Sequence, residues 1–184
     1  MAAEIVKILI AGPVNAGKST LIRHLSDTEV VSTDKAALDD VSRLKAQTTV
    51  AMDHGILHVA DDLELHLYGT PGQRRFSFMW DVLSVGAAGL ICLVDATSEE
   101  SIAELGYIYD YFRKKTKLPA IVGVTRQDVA GAATPAEVAE RLNRPDVPVM
   151  ACDPRRKEDS KVLALSLFEL ILKGQEELEE SDFF

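Results

Sequence analysis

The stretch that most constrains this chain is Gly12-Pro13-Val14-Asn15-Ala16-Gly17-Lys18-Ser19, which satisfies the P-loop pattern G-x-x-x-x-G-K-[ST] at every required position. Gly12 and Gly17 let the backbone curl until successive N–H groups point into one concavity. A helix opening after Gly17 adds the positive end of its dipole. Such a concavity selects phosphate. Within it Lys18 is placed to reach the β- and γ-phosphates, and Ser19 to ligate Mg²⁺. The flanks agree: Ile5 to Ala11 is an apolar, β-branched run that reads as a buried strand, and Ser19 to Leu25 supports a helix beginning within the loop.

Length and composition suit one α/β domain over residues 1–184, ending in an acidic tail at about 175–184; 47% hydrophobic residues provide a substantial core. A formal charge of −9 argues against a nucleic-acid surface and against bulk electrostatic attraction to acidic membranes. The longest apolar run, Val82 to Val94, spans thirteen residues, too few to cross a bilayer. No secretory signal, myristoylation glycine or prenylation cysteine is found, so no direct membrane anchor is expected and cytoplasm is the default location. Cys92 and Cys152 lie far apart in apolar runs, as reduced, partly buried thiols would.

Along the chain, Ser26 to Gln47 is polar and weakly periodic, and reads as a long mobile loop with a short helical turn at Ala36 to Val41. Val50 to Val59 and Leu63 to Tyr68 read as an antiparallel hairpin turned at Ala60-Asp61-Asp62. Gly69-Thr70-Pro71-Gly72-Gln73 breaks the second strand and leads into Arg74-Arg75-Phe76-Ser77-Phe78-Met79-Trp80. Three of the chain's eleven aromatics fall within five positions there, beside two arginines. Core packing on a short helix and an exposed partner surface formed by Phe76, Phe78 and Trp80 both fit this pattern. Leu90 to Val94 is a buried strand ending at Asp95, and Thr97-Ser98-Glu99-Glu100 reads as a capping box opening a helix to about Lys117. Ala120 to Val124 is the next strand, then Thr125-Arg126-Gln127-Asp128 and a second capping box at Thr134 to Glu137. Val147 to Ala151 is the last strand, followed by Cys152-Asp153, and Lys157 to Gly174 has helical spacing. The alternation implies a mostly parallel, six-stranded sheet with one antiparallel edge strand and helices on both faces. Ligands bind such a sheet beyond the carboxyl ends of its strands. His54, His58 and His66 fall on strands without the pattern of a metal site.

This series of post-strand loops resembles the Ras-like small GTPase family over about residues 5–173. The resemblance implies a P-loop NTPase G domain that binds GTP or GDP with Mg²⁺ and hydrolyses GTP. Thr49 looks like the switch I threonine that senses the γ-phosphate and ligates Mg²⁺, with Thr48 as the competing assignment. Gly72 and Gln73 resemble the switch II pair, in which glutamine positions the attacking water. The nucleotide contacts implied are Val14, Asn15, Ala16, Gly17, Lys18, Ser19, Thr20 and Gly72, with Thr125, Arg126 and Asp128 matching the guanine-reading [NT]-K-x-D motif apart from arginine for lysine. Cys152 and Asp153 stand where the last base-binding loop falls, without its Ser-Ala-Lys pattern. The catalytic set implied is Gln73, Lys18 and Thr49, and the metal ligands are Ser19 and Thr49. Leu67 to Gln73, with Phe78-Met79-Trp80, looks most like the bacterial branch of MglA-type polarity and conservon GTPases, whose members work with Roadblock-domain partners.

Three departures carry consequences. Gly69 stands where relatives carry an aspartate that holds Mg²⁺ through water, leaving Asp53 and Asp95 as candidates to replace it. Val14 occupies a position usually held by glycine, where a side chain obstructs the catalytic glutamine; slow intrinsic hydrolysis, or binding without turnover, is the implication. Arg126 leaves base reading mainly to Asp128, whose carboxylate can accept two N–H groups that adenine does not offer together. No arginine finger in cis is evident beyond Arg74 or Arg75. A P-loop kinase would share the first loop but bring an arginine-rich lid, and no such cluster occurs between Gly123 and Ala151.

Overall fold

The computed structural model describes residues 3–32 and 52–181, the last six by backbone alone. Strand β1, Glu4–Ala11, leads through the glycine-rich loop into helix α1, Lys18–Leu25, and β2 is a two-residue strand at Val31–Ser32. The hairpin follows as β3, Asp53–Ala60, and β4, Leu63–Gly69. A 3₁₀ turn at Arg74–Phe76 runs into α2, Ser77–Ser84, and then β5, Ala87–Asp95. The remainder alternates: α3, Glu99–Lys115; β6, Ala120–Thr125; α4, Pro135–Leu142; β7, Val149–Ala151; α5, Lys157–Ser181. The last helix therefore carries the acidic segment beyond Gly174 as helical backbone.

The sheet order is β2-β3-β4-β1-β5-β6-β7. β4, β1, β5, β6 and β7 are parallel neighbours, while β3 runs antiparallel to both β4 and β2. The α/β class and mostly parallel sheet agree with the expected G-domain architecture, with β2 as a short seventh strand that its polar surroundings did not reveal. Ala36 to Val41 and the chain through Ala51, including Thr48 and Thr49, lie outside the described residues.

Strand alternation sorts the core into two layers. Ile8 and Ile10 of β1 point to the face covered by α1 and α5, where Leu21, Ile22, Leu25, Leu163 and Leu167 are fully or almost fully buried. Leu9 and Ala11 point to the other face, packed with Trp80, Leu105, Ile108, Phe112 and Val138 from α2, α3 and α4. Cys92 and Cys152 are both buried free thiols, one in each layer.

Two local expectations change. Ser98, not Thr97, caps α3 by accepting from Ser101 N–H at 3.1 Å, because the Thr97 amide and hydroxyl are both taken by Asp95 Oδ1 at 2.9 and 2.6 Å. The second capping box forms as expected: Glu137 N–H donates to Thr134 Oγ1 at 3.3 Å and Thr134 N–H to Glu137 Oε2 at 2.7 Å, with Pro135 in the first turn. The aromatic cluster also divides. Phe78 is exposed, whereas Trp80 is fully buried, stacked on Phe112 at 5.8 Å and edge-on to Tyr111 at 5.0 Å. Trp80 is thus a core residue and cannot form a surface with Phe76 and Phe78: its indole fills the layer beneath α3 and donates through Nε1 to Pro71 O at 2.7 Å.

Candidate nucleotide-binding site

The parallel strands bring the loops after β1, β4, β6 and β7 to one edge of the sheet, where two adjoining clefts of about 530 and 360 Å³ open along the glycine-rich loop. The loop takes the curled form its glycines permit. Gly12 has φ 144° and a Cβ there would lie 2.3 Å from Leu93 O, so no other residue fits against β5. Gly17 has φ 102° and packs against Pro154 of the loop after β7.

Lys18 lies along this loop, donating to Gly12 O at 2.8 Å and Pro13 O at 2.6 Å. Burial lowers its ammonium to about 8, with the Asp53 carboxylate opposing that fall. Ser19 Oγ donates to Asp53 Oδ2, which reaches it from the start of β3. A Cβ at Gly69 would meet Ile22 Cδ1 at 2.9 Å and Asp53 Cβ at 3.5 Å. The space beside position 69 is thus filled from the neighbouring strand by Asp53, which brings to Ser19 the acid that position 69 lacks. Asp95, the other candidate, is engaged elsewhere: its Oδ2 pairs with Arg126 Nε at 3.1 Å and its Oδ1 binds Thr97. A hydroxyl and a carboxylate in direct contact at the phosphate loop are hard oxygen donors of the kind Mg²⁺ takes, so Ser19 and Asp53 fit that ion.

The smaller cleft lies between this pair and the loop after β4. Val14, Lys18, Gly72 and Gln73 line it, with Phe76 on its wall. Gly72 approaches the phosphate loop so closely that a Cβ would stand 2.6 Å from Val14 N, and Val14 itself is half exposed at the rim that Gln73 shares. Arg74, a candidate finger, turns away: Nε and Nη2 hold Glu104 at 2.7 to 3.0 Å, and the guanidinium stacks 3.8 Å over Tyr107.

The larger cleft runs past Asn15 to Thr20 to the loops after β6 and β7. Thr125 is buried, its Oγ1 3.1 Å from Ala16 O and 3.0 Å from Val94 O, pinning the phosphate loop to β5. Arg126, at φ 61°, spans from Asp95 to Asn15 O at 3.3 Å and forms one wall. Asp128 and Asp153 stand at the far end. Cys152 does not reach this cleft: its side chain is buried in the core, where burial and the nearby Asp159 and Asp153 push the thiol up to about 12. Arg155, which the sequence did not single out, lines the cleft and pairs with both Asp128 and Asp153. Its loop has no Ser-Ala-Lys pattern to mark it. The available signal was an arginine two residues after Asp153 in a post-strand loop.

The chain resembles known proteins in both sequence and fold. It is 26% identical over 140 residues to the uncharacterized protein MJ1339 of Methanocaldococcus jannaschii, covering 73% of this chain and 78% of that one. It is 28% identical over 142 residues to ADP-ribosylation factor-like protein 3 of Caenorhabditis elegans, covering 75% of this chain and 70% of that one. Human ADP-ribosylation factor-related protein 1 is 30% identical over 125 residues, covering 66% and 59%. Among solved structures, the Arl6 BBS3 small GTPase of Trypanosoma brucei superposes with a TM-score of 0.68 at 17% identity, covering 92% of this chain and 99% of that one. The G domain of the Thermotoga maritima FeoB iron transporter gives 0.64 at 21%, covering 91% and 99%. The fold is therefore that of small GTPases and G domains, with sequence similarity to Arf-like members. Residues 27–176 match the model of the family described as conserved hypothetical ATP binding protein, and the chain belongs to that family.

Proposed function

We propose that this protein is a guanine-nucleotide-binding switch that binds GTP or GDP with Mg²⁺ and hydrolyses GTP slowly. The observation that carries this reading is the pairing, along one phosphate loop, of Asp128 at one end and Gln73 at the other. Asp128 suits guanine because its two oxygens accept the base's N1–H and N2–H together. Lys18, already desolvated, meets the phosphates as a cation with little water to displace. Mg²⁺, when bound, neutralises charge on the phosphate oxygens, and Ser19, Asp53 and Thr49 would hold it. Gln73 orients the attacking water, and Gly72 lends its backbone N–H to the γ-phosphate, so loss of that phosphate frees the loop after β4. Val14 shares the cleft rim with Gln73, where its side chain would restrict the glutamine's approach to the phosphate, keep the intrinsic rate low and leave turnover to a partner. We infer that the partner contacts the side bearing Phe76 and the exposed Phe78. The segment Leu67 to Gln73 further supports an MglA-type assignment and a Roadblock-domain partner.

Two other readings each have a specific observation. The family's description names ATP, and Val14 favours a nucleotide-binding module without turnover. Competition titration of GTP, GDP and ATP, followed by single-turnover hydrolysis, separates them. The proposal expects guanine nucleotides to bind at least about a hundredfold tighter than ATP, a gap of roughly 2.7 kcal/mol. Equal affinities reject guanine reading. Bound GTP that releases no phosphate, even with a partner added, rejects the switch in favour of the module.

A further inference from the structure

The end of the larger cleft holds an arrangement that the phosphate chemistry does not use. Arg155 projects from the loop after β7 and bridges two carboxylates on different loops. Its Nη2 donates to Asp128 Oδ2 at 3.0 Å and to Asp153 Oδ2 at 2.7 Å, while Nε donates to Asp153 Oδ1 at 2.8 Å. Asp153 is fixed in turn, since its Oδ1 also accepts the Arg155 backbone N–H at 3.0 Å and its own N–H donates to Asp159 Oδ2 at 3.2 Å. Pro154, between the two, is buried and packs 3.0 Å from a Cβ placed at Gly17. The guanidinium therefore hangs on a rigid loop tied to the phosphate cradle, and the same Nη2 that holds Asp153 turns its second N–H to Asp128.

Asp128 is exposed and makes no other hydrogen bond to a side chain among those found in the described residues. A carboxylate on a solvent-facing loop turns freely about its side-chain torsions, and each turn spoils a two-point contact with a base. Arg155 engages one oxygen only, and each carboxylate oxygen has two lone pairs. One lone pair on Oδ2 and both on Oδ1 stay available to a base edge. From this geometry we infer that Arg155 is a positioning residue for base recognition: it clasps Asp128 to Asp153 and holds the Asp128 carboxylate in the orientation that receives guanine. This deepens the proposed guanine reading and rests on it. The clasp takes the place of the missing Ser-Ala-Lys loop, with an arginine reaching back to the base-reading acid.

The test is a double-mutant cycle on GDP binding, read by displacement of a fluorescent GDP analogue. Arg155→Gln keeps a side chain of similar reach on an exposed loop and removes the charged fork. An exposed ion pair is a weak constraint, so the loss expected from releasing Asp128 is no more than roughly fivefold in Kd. The expected result is a GDP affinity about fivefold lower in Arg155→Gln and changed by less than about twofold when the same substitution is made in Asp128→Ala. Arg155→Lys, which keeps the charge without the fork, falls between. Tighter GDP binding in Arg155→Gln overturns the inference, since Arg155 would then be competing with the base. So does an equal loss in both backgrounds, which would mark a general attraction to phosphate. Failure of the guanine reading shows separately, as an Asp128→Ala variant that binds GDP as the unmodified protein does.

Discussion

Replacing Asp53 with asparagine tests the assignment of the relocated acid. The substitution keeps the side-chain size and leaves an oxygen to accept from Ser19, so the hydrogen bond at the head of α1 survives while the negative charge is lost. Supporting carboxylates of this kind typically change metal affinity by about 10- to 100-fold, or roughly 1.4 to 2.7 kcal/mol. A second effect has the same origin: without the Asp53 charge, nothing opposes the burial that already brings Lys18 to about 8, and its ammonium falls further. The assay follows release of a fluorescent GDP analogue as free Mg²⁺ is lowered. The unmodified protein retains nucleotide down to a threshold, and Asp53→Asn needs about 10- to 100-fold more Mg²⁺ for equal retention. Asp95→Asn is the control. Its partners are Arg126 and Thr97, so its Mg²⁺ threshold stays in place. A threshold that moves in Asp95→Asn but not in Asp53→Asn refutes the assignment.

Val14→Gly opens the rim beside Gln73 and raises single-turnover GTP hydrolysis by about tenfold, near 1.4 kcal/mol of barrier; an unchanged rate assigns the slowness elsewhere. Lys18, lowered to about 8 by burial against an ordinary value of 10.5, is partly neutral at pH 8.5 in the free protein, and bound phosphates restore its proton. GDP binding at pH 8.5 therefore takes up roughly three-quarters of a proton, seen as a dependence of calorimetric heat on buffer ionisation, and no dependence refutes it. The same depression lowers stability of the free protein as pH falls from above 10.5 through about 8, where the folded state resists a proton that the unfolded chain accepts. Trp80, the only tryptophan, reports on Pro71 through its hydrogen bond, so its emission differs between the GDP and GTP-analogue states; identical spectra mean that Pro71 does not move.

Gly12, Gly17 and Lys18 are legible in the sequence because backbone curvature and a desolvated cation impose fixed spacing on local chain, and the unbroken apolar run of β1 marks a buried strand, which the structure sets between both core layers. Thr134 and Glu137 are legible for the same reason, since a capping box is complete within four residues. Trp80 was not. An aromatic beside arginines reads equally as core or surface until Tyr111 and Phe112, thirty residues on, are seen to enclose it. Asp53 could be named from sequence only as one of two acids, because the choice depends on which of them a strand crossing delivers to Ser19. Arg155 escaped because its partners, Asp128 and Asp153, belong to two loops that meet only once β6 and β7 lie side by side.

On the proposed reading, the arrival of the acid from β3 and not from the end of β4 sets how such a switch would be wired. An acid at position 69 would link metal to Gly72 through the three residues that follow the strand. Here that strand end carries glycine, and the acid arrives on the antiparallel strand, which continues backwards in sequence towards Thr49 and Thr48. If Asp53 holds the metal and Gly72 the γ-phosphate as proposed, metal occupancy would be addressed through β3 and γ-phosphate occupancy through the loop after β4. Under the proposed switch reading this gives two separately addressable inputs where one strand would tie them together, so that a partner gripping either segment would read one without disturbing the other.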